Sequence, residues 1–319
     1  KSIYWRLERV PMSTLLIYNV QIVNEGLIQQ ADVFVRNGRI ARIDSDLSHL
    51  QAKEFIDGSG KYLMPGIIDV EFKLSAQNDF LPSLFQESKA AIAGGITSSL
   101  LLPSYTSDKA PLFPFLDPTH TNIPLINNLS MYYPATQLTM DDIASIDASA
   151  CCGVYVDMAN TNDALRVDAP DMLARILNES PSLVAFHAED APSILESEES
   201  YRQIYGDDIP FNLHASIRSA EACYIAAAEA LEIALNSDSR VHLLHVSSAK
   251  EIELLEKVRK KSALISADVC SHYLTFSDAD YEARGRLLKC EPSIKSDIDR
   301  AALLQGLLDN NIDMISSGH

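Results

Sequence analysis

Basic residues are scarce in this chain. Its 26 Lys+Arg face 44 Asp+Glu, a formal net charge of −18. So acidic a surface disfavours nucleic acid and anionic membranes, both of which are held by clustered cations. Long apolar runs are missing too: none approaches the ~20 residues that a membrane-spanning helix needs. Cysteine is sparse and unpatterned. Cys151, Cys152, Cys223, Cys270 and Cys290 are odd in number and form no CxxC pair, which points to buried thiols in a reducing, cytoplasmic setting rather than to a disulfide framework. No GxGxxG or GxxxxGK[ST] follows any strand-like run, so nothing marks a phosphate-binding loop.

What remains is a long, patterned chain. It has 319 residues, 47% of them hydrophobic, enough for a large core. The first eleven, KSIYWRLERVP, lack a hydrophobic signal core and read as a leader or upstream read-through outside the fold. Residues 12–64 are β-like and short in period, broken by the turn signals Asn37-Gly38 and Gly58-Ser59-Gly60; they predict a small antiparallel sheet with a polar face. From 65 to 319 short apolar strands alternate with helical segments. Strands are expected at 67–72, 97–103, 123–133, 151–158, 182–190, 240–248, 262–269 and 312–318. Helices are expected at 84–94, 171–180, 219–237, 249–261 and 297–310, with the third and fourth strands joined less regularly. Near-continuously apolar strands alternating with helices imply a parallel sheet covered by helices, and eight of them over this length predict a (β/α)₈ barrel of the α/β class. No helix follows the eighth strand, so either the chain is a fragment, truncated after that strand, or the barrel is closed by something else.

In such a barrel the chemistry gathers at the C-terminal ends of the strands. Strand one ends in Glu71-Phe72-Lys73, with residues 71 and 73 two apart and so on one side. Strand five ends in His187-Ala188-Glu189-Asp190 and strand six in His242-Leu243-Leu244-His245. Strand seven leads to Asp268 and His272, strand eight to Ser316-Ser317-Gly318-His319. Histidines ending two adjacent parallel strands suggest a metal site, because imidazoles are common zinc ligands; for either alone, a hydrogen-bonded core histidine is the bland alternative. His242, three residues earlier, is expected deeper on the opposite face in a structural role. His49, His120 and His214 fall in loops and carry no argument.

Over nearly its whole length the chain resembles the dihydroorotase branch of the cyclic amidohydrolases. The resemblance is carried, in order, by LMPGIIDVEF, ESKAAIAGGITS, FHAED, SIRSAEACYIAAAEALEIA, VHLLHVSSAKEIELL, ADVCSHYLTFSDAD and KCEPSIKSDIDRAALLQGLLDNNIDMISSGH. It implies a barrel flanked by a small β-domain built from both termini, the second half of which would follow His319. It also implies a site, most of whose positions have changed. The metal-binding His-x-His pair of strand one is Glu71 and Lys73 here. The arginine that grips the substrate carboxylate is Ser75, and the asparagine of the turn after strand two is Ser104. The bridging lysine or aspartate falls at Tyr155, with Asp157 nearby. The histidines of strands five and six are kept as His187 and His245. An asparagine before a proline becomes Glu291, and the strand-eight aspartate, ligand and general base in one residue, becomes Gly318.

Two histidines leave a zinc ion short of the three protein ligands typical of catalytic sites, and glycine cannot act as a base. The expectation is a metal-site-degenerate pseudoenzyme of pyrimidine biosynthesis with no cofactor, the Lys73 ammonium standing where a metal ion stood, near His187 and His245. By the same resemblance such a chain is a structural partner of aspartate transcarbamoylase, in a homo- or hetero-oligomer. The alternative is an active cyclic amidohydrolase hydrolysing the ring amide of dihydroorotate. It would use zinc held by His187, His245 and one of Asp157, Asp190 or Asp268. A third reading, small-molecule binding at the barrel mouth, has no sequence feature of its own.

Overall fold

The computed structural model describes residues 13–74, 80–103 and 125–319. They fall into two compact units that divide between Ile67 and Ile68. The first is a five-stranded sheet of β1 (Thr14–Asn24), β2 (Leu27–Arg36), β3 (Arg39–Asp44), β4 (Glu54–Asp57) and β5 (Tyr62–Leu63). Asn37 and Gly38 both take positive φ, 52° and 73°, the left-handed pair that a tight two-residue hairpin demands. Asp32 is the buried staple of this unit. Its two oxygens accept the backbone N–H groups of Asn19 (2.9 Å) and Leu47 (2.8 Å), fixing the irregularity in β1 and the chain that leaves β3.

Two expectations for this sheet are corrected. It is mixed, not antiparallel: β4 and β5 both run parallel to β1, because residues 45–53 carry the chain back across the sheet before β4 begins. Nor is its second face polar. Leu16, Phe34 and Leu47 form a small core, while Ile28, Ile40, Phe55 and Tyr62 are all more than half exposed.

The second unit is an eight-stranded parallel sheet whose strands follow one another in chain order. It comprises β6 (Ile67–Phe72), α1 (Phe80–Ala93), β7 (Ile96–Leu101), β8 (Asn128–Ala135), β9 (Gly153–Asp157), α2 (Pro170–Glu179), β10 (Val184–His187), α3 (Ala191–Tyr205), α4 (His214–Ile217), α5 (Ala220–Ser237), β11 (Val241–Leu243), α6 (Ala249–Arg259), β12 (Ile265–Cys270), α7 (Ser271–Thr275), α8 (Tyr281–Arg284), α9 (Asp297–Leu308) and β13 (Met314–Ser316). The sheet curls until its edges meet. Lys73 N–H donates to the His319 carbonyl at 2.8 Å, and Ser317 N–H donates to Asp69 Oδ1 at 3.0 Å. The result is a nearly closed (β/α)₈ barrel.

The β8–β9 connection contains a 3₁₀ turn, Met140–Ser145, and no α-helix among its described residues, in keeping with its irregular sequence. Helix α3 was not anticipated. It buries little beyond Ala191 and Ile194, so its apolar stripe is faint; it is fixed at its start by Asp190, whose carboxylate accepts Ser193 N–H at 2.9 Å as an N-cap.

Alternation along each strand sorts the side chains. Val154, Val156, Val184, Phe186, Val241 and Leu243 face outward into the layer shared with the helices. There α5 offers Ala222, Ala226, Ala227, Ala230 and Ala234, small enough to bring the helix close. The residues between them face into the barrel.

Candidate functional site

The barrel interior is apolar on one side and polar on the other. Leu102, Tyr132, Tyr155, Ala185 and Leu244 form one buried cluster. Asp69, Glu71, His242, Asp268 and Ser316 line the side where the first and last strands meet, all buried. Tyr155 therefore contributes a core ring where the resemblance puts a bridging ligand. Asp157, two residues along on the same face, spends its carboxylate on the following turn, accepting Ala159 N–H and Asn160 Nδ2–H at 3.0 Å each.

His187 and His245 do share one cavity, and they touch. Nδ1 of His187 lies 2.6 Å from Nε2 of His245. Nδ1 of His245 lies 2.9 Å from Glu71 Oε1, and Nε2 of His187 lies 3.2 Å from Glu189 Oε2. Glu189 pairs onward with Arg218, whose Nη2 reaches Glu291 Oε2 at 3.2 Å. The chain of contacts is thus Glu71, His245, His187, Glu189, Arg218, Glu291, and charge alternates along it.

The proton count follows from geometry. A carboxylate only accepts, so both outer ring nitrogens carry hydrogen; two bare lone pairs, or two N–H groups, cannot meet at 2.6 Å, so one proton lies between the rings. Such a shared proton would make the pair a monocation between its two carboxylates. The flanking acids are suited to this. Burial would raise Glu71, but the His245 charge and hydrogen bond hold it below the usual carboxylate range. Burial likewise opposes the Glu189 charge, yet the hydrogen bond from His187 and the Arg218 cation bring it to about 2. His245 moves the other way: burial disfavours its cation, and Glu71 more than offsets that, raising it.

Asp268, wholly buried, anchors the second layer. Its Oδ1 accepts His245 N–H (2.8 Å) and faces His242 Nε2 (3.2 Å), while Oδ2 takes the Ser316 hydroxyl. His242 also meets Ser266 Oγ at 2.9 Å. Its role is structural, but it points into the barrel beside Asp268 rather than to the opposite face. Among the described residues, the one group of three or more potential metal donors within 4.8 Å of one another is Glu71, Asp268 and Cys270. Burial, with Glu71 and Asp268 alongside, pushes the Cys270 thiol far up. It donates to Glu71 Oε2 at 3.2 Å.

Other expected positions behave differently. Lys73 follows the last residue of β6, is exposed, and among the described residues makes no ion pair, so its ammonium does not stand in a former metal position. The strand's alternation stops at Phe72, and the cation beside Glu71 is the histidine pair. Asp190 caps α3, its carboxylate accepting Ser193 N–H. Ser75 and Ser104 lie outside the described residues. Glu291 is half exposed and bound to Arg218. Gly318 has φ +62°, and a Cβ there would fall 2.7 Å from His272 Cε1 and 2.9 Å from Cys270 Sγ. Nε2 of His272 is buried and has no hydrogen-bond partner among the described residues. His319 stacks on Phe72 at 5.7 Å and meets Glu87 at 3.0 Å.

Sequence reasoning missed the Glu189–Arg218 pair. Glu189 shares a strand face with His187, a signal that was present; Arg218, 29 positions away, gave none. A second buried ionic group was also missed: Lys295 Nζ donates to Ser247 Oγ at 2.9 Å, beside Glu251, which accepts from Ser247 and Ser248.

Solved structures share this fold, a nearly closed parallel barrel with a separate N-terminal sheet. The L-hydantoinase (dihydropyrimidinase) from Arthrobacter aurescens matches with a TM-score of 0.82 at 22% identity, covering 97% of this chain and 69% of its own. The dihydropyrimidinase from Brevibacillus agri matches at 0.80 and 22%, covering 96% and 68%. In sequence, the chain is similar to proteins named dihydroorotase. That of Pediococcus pentosaceus is 26% identical over 316 residues, 96% of this chain and 71% of the relative; that of Listeria innocua is 25% identical over 316 residues, 95% and 71%. No family model matches.

Proposed function

We propose that this chain is a pyrimidine-related cyclic amidohydrolase homologue that no longer opens the ring of dihydroorotate, and that it acts as a structural partner of aspartate transcarbamoylase in a cytoplasmic assembly. The observation that carries the loss of chemistry is the closed run from Glu71 to Glu291. Every ring nitrogen of His187 and His245 is already bonded, and no third donor joins them among the described residues. Metal-activated hydrolysis needs three protein ligands and a carboxylate to manage the proton; Gly318 stands where the resemblance puts that carboxylate. The residues present therefore do not fit a catalytic zinc centre. The partner rests on the resemblance alone, and the cytoplasmic setting on five free thiols.

Purified chain incubated with dihydroorotate, with and without added zinc, is expected to give no turnover above buffer. Mixed with aspartate transcarbamoylase at micromolar concentration, it is expected to form a complex by native mass spectrometry, and two separate species would remove the partner. One observation favours an active enzyme instead: the inner nitrogens of His187 and His245 converge while carboxylates hold the outer ones, the way metal-binding imidazoles are oriented. Chelator-sensitive turnover lost on His187→Ala would establish that reading.

A further inference from the structure

We infer that a cavity beside the histidine pair is a binding site for a small organic anion, a carboxylate or phosphate carried on an apolar body. The cavity holds about 470 Å³ and opens between α3 and the segments around residues 159–166, 209–218 and 286–291. That volume suits a small molecule, and pockets of this kind combine apolar walls with a few placed charges. Ile194, Leu195, Ile209, Phe211 and Ile217 supply the wall. Phe211 is held in place, stacked on His214 at 5.5 Å and edge-on to Tyr281 at 5.3 Å, so that the wall is pre-formed.

Charge at the cavity runs against the rest of the molecule. In a chain of net −18, four cations line it, Arg166, Arg218, Arg286 and Lys289, against two carboxylates, Glu198 and Glu291. Four of these six have partners. Arg166 pairs with Asp163 and Asp168, Glu198 with Arg202, and Arg218 with Glu189 and Glu291. Arg286 and Lys289 are exposed and make no ion pair among the described residues, which leaves two uncommitted cations at the rim of an apolar cleft. Low-dielectric walls focus such a field on an entering anion. Arg218 and Glu291, the outer end of the run that begins at Glu71, line the cavity, whereas Glu71, His187 and His245 do not, so an anion held here lies outside the histidine pair, and the inference does not depend on whether that pair can hold a metal.

The test is calorimetric titration of the whole chain with phenyl phosphate, benzoate, inorganic phosphate and benzyl alcohol. Saturable binding of phenyl phosphate or benzoate is expected, falling at least about tenfold in Arg286→Glu/Lys289→Glu and in Leu195→Asp. All three substitutions fall at exposed positions, and unchanged melting temperatures would confirm that the variants fold. Preference for one aryl anion over the other identifies the head group. The inference is overturned if neither aryl anion binds, if inorganic phosphate or benzyl alcohol binds as well as they do, or if the charge reversal leaves binding unchanged.

Discussion

A proton held between two imidazoles can draw the rings together as a divalent ion would, but it offers no open position to a substrate. Glu71 is what fixes that arrangement in this chain. Replacing it by Gln would leave the buried His245 without its counter-charge, and removing one member of a buried pair costs roughly 3–5 kcal/mol, readable by urea denaturation. The pH dependence has two arms. The lowered value of Glu71 means that its contribution is present above its unfolded value of about 4.3 and is lost as pH falls through the folded one. The raised value of His245 means that its contribution is present below about 6.5 and is lost as pH rises through the folded value. Stability should therefore peak between the two, and Glu71→Gln should flatten both arms. Gly318→Asp, which restores the carboxylate implied by the resemblance, should restore no turnover. It should destabilise by about 1–3 kcal/mol, since a left-handed backbone and a Cβ in contact with His272 and Cys270 are both strained. His187 and His245 were legible as a pair from the strand ends. What their nitrogens face was not, because Glu71 lies 174 positions from His245.

Between elements, the seam joining α6 to β13 depends on one pair. Arg259, at the end of α6, grips Asp313 with Nη1 and Nη2 at 2.6 and 2.7 Å, and Asp313 also accepts Ala267 N–H at 2.8 Å. Arg259→Ala should cost about 1–2 kcal/mol, the lower part of the range for hydrogen bonds to charged groups, because both side chains are about a quarter exposed. Although burial opposes its charge, Asp313 is lowered by Arg259. The contribution is thus present above about pH 4 and lost below it, so wild type and variant should converge in acid melts. The strands were legible because buried parallel strands read as continuous apolar runs. Helix α3 was not, since only Ala191 and Ile194 are buried along it. The first sheet was misread for a different reason: alternation shows that a strand exists but not its direction, and the direction of β4 is decided by where residues 45–53 cross.

At the scale of the whole molecule, eight alternating strand and helix signals were enough to give the barrel. Its closure depends on contacts such as Ser317 to Asp69, 248 positions apart, which no local pattern carries. Among the described residues no helix is long and apolar enough to cross a membrane. The fold is one that solved hydantoinases share, and the interior of this chain holds a carboxylate–imidazole–imidazole–carboxylate run. The most direct test is the zinc content of the purified chain, paired with a crystallographic anomalous map at the zinc edge. A chain closed by a shared proton will carry zinc far below one ion per molecule and show no anomalous peak between His187 Nδ1 and His245 Nε2. One zinc per chain at full occupancy between those two nitrogens would contradict it.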